Sequence, residues 1–244
     1  EYTHIAKKGG LPRSISYSGS SGPQREFVSP IDQTVNDVHL TQGYASGDRS
    51  QGSILSFIKS YQVNVSYAYS RFHNAIRSTM VDNPQLSVSS FTSGTNSARV
   101  SLEPNNSAQT AAFTGAVLLP MRTRVTGSVS STWSRQNDPF LPQTSNDSLS
   151  RDPNYGLVSS LLRPSLEGKA RTSTYNFSAT THPIAKLTVA ARHRSFDLSN
   201  QTAAFGIRAM VVSDRSIALG DSEKFEPHPF TKTNSDLSAS YEVM

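Results

Sequence analysis

Polar and apolar residues alternate along several segments of about a dozen residues, and two of these segments flank a short link. Residues 169–181 (KARTSTYNFSATT) run into the link at 182–185, and residues 186–196 (KLTVAARHRSF) run out of it. At a period of two, Tyr175 and Phe177 share one face of an extended strand, and hydroxyl and amide side chains occupy the other. Strands of roughly 9–11 residues with one apolar and one polar face cross a bilayer as a closed barrel, in which every backbone group is paired. The pattern therefore predicts a transmembrane β-hairpin.

The same alternation predicts about eight antiparallel strands along the chain. They cover residues 1–7, 33–46, 60–73, 108–118, 122–136, 169–181, 186–199 and 233–243. Short links at 119–121 and 182–185, with a longer one at 47–59, alternate with long loops at 8–32, 74–107, 137–168 and 200–232. Outer-membrane barrels have short periplasmic turns and long extracellular loops. The predicted fold class is thus all-β, an antiparallel transmembrane β-barrel segment, with residues 1–244 forming part of a single outer-membrane β-barrel domain. Because both chain ends fall inside strand patterns, we expect the chain to be a piece of a longer barrel.

The alternation also assigns side chains to a wet lumen or to lipid. The residues expected to face the lumen, or a partner inside it, are polar: Thr126, Ser128, Ser130, Thr174, Asn176, Ser178, Thr188, Arg192 and Arg194. The residues expected to face lipid are apolar or aromatic: Tyr61, Val63, Val65, Tyr67, Val125, Val129, Trp133, Tyr175, Phe177, Leu187 and Val189. Aromatic residues near strand ends fit an interfacial girdle, although cross-strand packing in a soluble sheet produces the same pattern.

The amino-acid composition is consistent with a barrel wall and excludes several kinds of chemical site. Hydrophobic residues make up 35% of the chain without glycine, whereas soluble domains usually contain roughly 45–50% apolar residues with glycine included. Nine Tyr, eleven Phe and one Trp argue against a disordered chain. The absence of cysteine excludes disulfides, thiolate metal sites and covalent attachment of c-type haem within this chain. The net charge of +5 comes from scattered cations, which indicates solvated rims and lumen rather than a nucleic-acid-binding surface.

No catalytic or metal site is predicted, and we expect the chain not to be an enzyme. The six histidines are dispersed without the spacing of a zinc site. His193 lies either near a bound redox partner or simply in the barrel wall. The glycine- and serine-rich segment at 18–22 lacks the lysine and helix of a phosphate loop. Acidic and amide residues at 137–138, 146–147 and 152 offer oxygen ligands for calcium, but no D-x-D-x-D-G run supports such a site.

Several segments resemble the MtrB/PioB-type outer-membrane β-barrel proteins associated with decahaem cytochromes. In chain order they are 29–32 (SPID), 61–84 (YQVNVSYAYSRFHNAIRSTMVDNP), 102–106 (LEPNN), 119–142 (LPMRTRVTGSVSSTWSRQNDPFLP) and 182–200 (HPIAKLTVAARHRSFDLSN). The strongest match is 119–142, with its LPMRT turn and QNDPFLP strand exit. The chain departs from the family pattern at 195–198, where an aromatic cluster is reduced, and at an apparent insertion covering 52–58.

The resemblance implies a non-catalytic sheath in the bacterial outer membrane. Barrels of this family enclose a periplasmic multihaem c-type cytochrome, whose haems pass electrons between the periplasm and an extracellular cytochrome or mineral. The expected partners are therefore that cytochrome and outer-membrane lipid, with all haem carried by the cytochrome and no cofactor in this chain. Two other interpretations of the residues remain open: a general diffusion porin or receptor-type barrel, and a soluble β-rich adhesion or carbohydrate-binding module.

Overall fold

The computed structural model describes residues 1–16, 24–47, 57–82, 97–141, 163–207, 210–212, 216–218 and 223–243. The strands among them are, in chain order, β1 (Tyr2–Ser16), β2 (Gln24–Ser46), β3 (Ser60–Asn74), β4 (Ser78–Asp82), β5 (Ser97–Ser101), β6 (Asn106–Leu119), β7 (Thr123–Gln136), β8 (Gly168–Ile184), β9 (Leu187–Asn200), β10 (Phe205–Ile207), β11 (Met210–Val212), β12 (Ser216–Ala218), β13 (Glu223–Phe225) and β14 (Phe230–Tyr241). In the described part of the chain, no helix is long and apolar enough to span a membrane.

Eight of these strands form one antiparallel sheet, which confirms the predicted fold class. The strand order is β1-β2-β3-β6-β7-β8-β9-β14, so each strand pairs with the next long strand of the chain. The short strands form separate two-stranded ribbons, β4 with β5, β10 with β13 and β11 with β12, inside the connections that follow β3 and β9. This simple meander is the topology of a barrel wall.

The connections alternate between the two ends of the sheet. At one end lie Gly47, residues 57–59, the turn at 120–122 and the two-residue turn at 185–186. At the other end, β1 stops at Ser16 and β2 begins at Gln24, and the described residues 75–77, 102–105, 137–141, 163–167 and 201–204 adjoin the strands. The predicted turn at 182–185 is wrong in its bounds, because β8 continues to Ile184. A register shift between Thr181 and Ile184 places Pro183 in an irregular part of the strand, where a residue without an N–H is tolerated.

The first hairpin is longer than predicted. Residues 8–32 were expected to form a loop, but β1 continues to Ser16 and β2 begins at Gln24. Because β3 joins β2 only from Gln33 onwards, residues 24–32 pair with β1 and form a two-stranded arm, at whose base Ala75 N donates to Asp32 O at 2.9 Å. Glycine and proline residues interrupt the polar–apolar alternation in this arm. For this reason the sequence pattern did not predict its two strands. Both strands of a two-stranded ribbon are edge strands. Proline, which has no N–H, is therefore tolerated where its nitrogen faces away from the partner strand.

The sheet has no hydrophobic core on either face. Among the described residues, only Val81 and Leu102 are buried hydrophobic residues, and both lie outside the eight-stranded sheet. The large apolar side chains of the sheet are instead exposed, for example Val65 at 52%, Phe113 at 47% and Phe177 at 47%. A soluble β-sandwich buries its apolar face against a second layer. An apolar face without such a layer is the arrangement of a sheet that faces lipid.

Candidate functional site

The pairing register divides the sheet into two faces. Residues directly opposite each other in neighbouring strands lie on the same face. One row of such residues runs across six strands: Gln62, Ala116, Thr126, Ser178, Arg192 and Asp236. We call the face that carries this row the polar face and the opposite one the apolar face. The faces follow from backbone pairing, independently of the side chains that occupy them.

All the residues predicted to face the lumen lie together on the polar face. They are Thr126, Ser128 and Ser130 of β7, Thr174, Asn176 and Ser178 of β8, and Thr188, Arg192 and Arg194 of β9. The residues predicted to face lipid all lie on the apolar face: Tyr61, Val63, Val65 and Tyr67 of β3, Val125, Val129 and Trp133 of β7, Tyr175 and Phe177 of β8, and Leu187 and Val189 of β9. Their exposure to lumen and to lipid stays a prediction.

The centre of the polar face is concave. A shallow cavity of about 650 Å³ extends across five strands, from β3 to β9. Its lining from the polar face comprises Gln62, Asn64, Thr114, Ala116, Thr126, Ser128, Asn176, Ser178, Arg192 and Arg194, and Gly115, Gly127 and Phe177 also contact it. Because the hollow lies on the polar face, the sheet curves with its polar side inwards. A barrel wall that encloses water curves in the same direction.

Hydroxyl and amide groups of neighbouring strands are linked across this concave surface. The hydroxyl oxygens of Thr126 and Ser178 are 2.6 Å apart. Asn176 Nδ2 donates to Ser128 Oγ at 3.3 Å. These bonds partly satisfy the polar side chains within the wall, and the hydroxyl and amide groups can also bind water.

Charge is nearly absent from the middle of the polar face. On β3 and β6 this face carries only serine, threonine, asparagine, glutamine, alanine, phenylalanine and leucine. On β7 the only charged residue is Arg124, next to the turn, and on β8 the face is uncharged from Gly168 to Thr180. The guanidinium groups of Arg192 and Arg194 lie at the β9 side, where Asp236 is directly opposite Arg192.

Pairing adds side chains that the sequence had not marked as site residues. Gln62 and Asn64 of β3 and Thr114 of β6 line the same hollow as the predicted residues of β7, β8 and β9. Alternation within β3 shows that Gln62 and Asn64 share a face. Only the register between strands places them next to Thr126 and Asn176.

The histidines and carboxylates considered as ligands lie apart wherever the structure describes them. No three histidine or acidic side chains in the described part of the chain converge to hold a metal ion. His193 lies on the apolar face, where its Nδ1 is 2.9 Å from Ser235 Oγ, and so points away from the space enclosed by the polar face. The two oxygens of Asp138 accept hydrogen bonds from Asn105 N and Nδ2, at 2.8 and 3.0 Å. The predicted positions at 18–22, 146–147 and 152, and most of the insertion at 52–58, lie outside the described residues.

A comparison of the whole chain with known families agrees with this architecture. The family model described as "Putative outer membrane beta-barrel porin, MtrB/PioB" matches residues 1–244. No curated protein matches the chain. With its meander of long antiparallel strands, its exposed apolar face and its concave polar face, the chain belongs to the MtrB/PioB family of β-barrel porins of the bacterial outer membrane.

Proposed function

We propose that this chain forms part of a sheath that holds a multihaem c-type cytochrome inside an outer-membrane barrel. In this function the barrel wall supplies no redox centre. The cytochrome carries the haems across the membrane, and electrons pass along them between the periplasm and the exterior. The observation that carries the proposal is the concave polar face, whose hollow is lined mainly by small hydroxyl and amide side chains, with Arg192 and Arg194 at its β9 side.

A surface of this kind suits contact with a folded protein. Serine, threonine and alanine project little from the sheet, so a partner's surface can approach the wall closely. Their hydroxyls form hydrogen bonds with water or with the partner, because one polar partner replaces another at little net change in free energy. Arg192 and Arg194 add two charged donors that fit carboxylates on the partner.

The alternative function of a general diffusion pore also requires a polar lumen. The two functions differ in the haem protein that a sheath must hold and that a diffusion pore lacks. The haem, in turn, needs a carrier with cysteines for covalent attachment, and this chain has none.

A pair of adjacent alanines on β6 provides a matched test. Ala112 lies on the polar face between Ser66 and Ser130, whereas Ala111 lies on the apolar face between Tyr67 and Ser131. Ala112→Trp places an indole on the proposed contact surface, and Ala111→Trp places the same group on the opposite side. The full-length protein should be isolated from membranes with each substitution, and the co-purifying haem measured per barrel by absorbance and haem staining.

We expect the haem content to fall at least severalfold in Ala112→Trp and to stay at the unsubstituted level in Ala111→Trp. Both variants should first be shown to fold by their mobility in unheated gels. Equal haem contents in the two variants would argue against contact at the polar face. A folded barrel that co-purifies without any haem protein and conducts ions in planar bilayers would instead establish the diffusion pore.

A further inference from the structure

Four exposed cations lie on the apolar face at its loop end. They are Arg71 of β3, Arg135 of β7, and Lys169 and Arg171 of β8, and we call them the cationic cluster. Arg71, Ser107, Arg135 and Lys169 form one row of directly paired residues. Arg171 lies in the adjacent row, opposite Trp133. Residues far apart in the chain thus place four positive charges on a small area of the wall.

Within the described residues, no ion pair neutralises the charge of the cationic cluster. Arg135 and Lys169 are directly opposite each other, so their Cβ atoms are roughly 5 Å apart and their like charges repel. Like charges directly opposite each other destabilise a sheet. An anion bound between the two side chains would reduce their repulsion and form hydrogen bonds with both.

A hollow adjoins the cluster at Arg135. It has a volume of about 310 Å³ and is lined by Ser107, Gln109, Trp133 and Arg135. Ser107 has a short side chain and lies in the row between Arg71 and Arg135, which leaves space for a group between the two guanidiniums. Hydroxyl, amide, indole and guanidinium donors therefore surround one cavity. These are the groups that hydrogen-bond to phosphate oxygens.

The level of the cluster within the wall points to the ligand. Trp133 marks the end of the apolar stretch on β7, and tryptophan is characteristic of the membrane–water interface. The guanidinium of Arg171 lies 5.6 Å from the centre of the Trp133 ring and donates to Ser131 Oγ at 3.4 Å. Arg135 and Lys169 come two residues beyond the row of Trp133 and Arg171, towards the loops. The cluster is thus at the height of lipid headgroups.

We propose that the cationic cluster binds the phosphate groups of a phosphorylated glycolipid headgroup in the outer leaflet. Basic pockets at the surface of membrane proteins bind anionic headgroups, and each nearby cation strengthens the attraction. The acyl chains of the lipid lie against the apolar residues below, and its phosphates occupy the space between Arg71, Arg135 and Lys169. The site is on the opposite face from the proposed cytochrome contact, so it does not depend on that function.

The test measures lipid binding to the full-length protein in detergent by native mass spectrometry. The probes are lipid A with two phosphates, the same lipid without phosphates, phosphatidylglycerol and inorganic phosphate. The variant Arg135→Gln with Lys169→Gln removes two charges of the cluster. Its control, Lys7→Gln with Lys232→Gln, removes two exposed charges from the polar face. Mobility in unheated gels shows that each variant is folded.

We expect the unsubstituted protein to bind lipid A about tenfold more tightly than its phosphate-free form. This preference should fall below about threefold in the Arg135/Lys169 variant and persist in the Lys7/Lys232 variant. If the double variant does not fold, Arg71→Gln should lower the preference partially. A preference unchanged by any of the cluster substitutions overturns the proposal, as does displacement of lipid A by millimolar inorganic phosphate or tighter binding of phosphatidylglycerol.

Discussion

Thr126 and Ser178 lie directly opposite each other on β7 and β8, and their hydroxyl oxygens are 2.6 Å apart on the polar face. The same two strands carry a second hydroxyl pair on the apolar face, Ser131 and Ser173, at 3.2 Å. Ser173 is only 5% exposed. One pair therefore faces the concave polar side, and the other is embedded in the apolar side. Identical chemistry on the two faces allows their surroundings to be compared.

Removing one hydroxyl from each pair should have unequal effects on stability. Ser131→Ala deprives the buried hydroxyl of Ser173 of its partner, so we expect a loss of about 1–2 kcal/mol in the free energy of unfolding. Thr126→Val leaves Ser178 accessible to lumen water, and the loss should stay below about 0.5 kcal/mol. Urea unfolding of the full-length protein in lipid bilayers measures both. A larger loss for Thr126→Val would mean that the polar face is the dry one.

Arginine substitutions test the two faces at two depths. Val129 lies near the middle of β7 on the apolar face, and Val189 lies only two residues after the start of β9. We expect Val129→Arg to reduce barrel stability by about 2–4 kcal/mol and Val189→Arg by about 0–1 kcal/mol, because the penalty falls towards the interface.

Their neighbours Ser128 and Thr188, on the polar face, provide the controls. Ser128→Arg and Thr188→Arg keep the guanidinium in lumen water, so both should leave the free energy of unfolding nearly unchanged. The readout is folding into bilayers as a function of urea. Greater losses at Ser128 and Thr188 than at Val129 would show that the facing is inverted.

The turn between β6 and β7 contains stored backbone strain. Met121 and Arg122 have φ values of 56° and 50°, and Thr123 N donates to Pro120 O at 3.1 Å. Two consecutive positive φ values describe a type I′ turn, which favours asparagine and glycine. Arg122→Gly should therefore raise the free energy of unfolding by about 1 kcal/mol. Arg124→Gly, inside β7, should lower it by about 0.5–1 kcal/mol. Urea unfolding measures both variants. A lower free energy of unfolding in both would show that the turn is not strained at Arg122.

A salt bridge attaches the two-stranded arm to the loop before β6. Arg13 Nη2 is 2.7 Å from Glu103 Oε1, and this hydrogen bond lowers the pKa of Glu103 from its ordinary value of 4.5. A lowered carboxyl pKa stabilises the folded form above that ordinary value, and the stabilisation disappears as the pH falls through the lowered pKa. The arm should therefore detach more readily below pH 4.5 than at pH 7.

Hydrogen exchange of residues 8–16, corrected for intrinsic rates, measures this detachment. Because the pair is solvent-exposed, we expect protection to fall only about two- to fivefold on acidification. Arg13→Gln removes the pair with Glu103 and leaves the Lys8–Asp32 ion pair of the arm in place, so it is the control for effects of acid that do not involve Glu103. An acid-induced loss of protection in Arg13→Gln as large as in the unsubstituted protein would exclude Glu103 as the cause.

The orientation in the membrane is testable with two epitope tags inserted after alanines at opposite ends of the sheet. Ala203 lies in the connection between β9 and β14, and Ala185 lies in the turn between β8 and β9. Long loops of outer-membrane barrels face the exterior, so only the tag after Ala203 should be labelled on intact cells. Permeabilised cells should label both. Labelling of Ala185 alone on intact cells would reverse the orientation.

The positions of the strands were largely predictable, because polar and apolar residues alternate with a period of two within each strand. The prediction of 60–73 differs by one residue from the observed β3, and 122–136 differs by one residue from β7. Polar and apolar faces within β7, β8 and β9 were predictable for the same reason. The arm at 8–16 and 24–32 was missed, since Gly9, Gly10, Pro12 and Pro30 disrupt the alternation that the prediction relied on.

The tertiary structure decided which residues of different strands meet. Gln62 and Asn64 join Thr126 and Asn176 in one hollow only because β6 lies between β3 and β7 in a particular register. Likewise, Arg71 reaches the row of Arg135 and Lys169 although a long connection separates them in the chain. The alternation of polar and apolar residues shows which face of its own strand a residue occupies. It does not show the pairing register, because a shift of the whole strand by two residues leaves every residue on the same face. The register, and with it the concave site and the cationic cluster, is set by pairing between strands, which no single segment encodes.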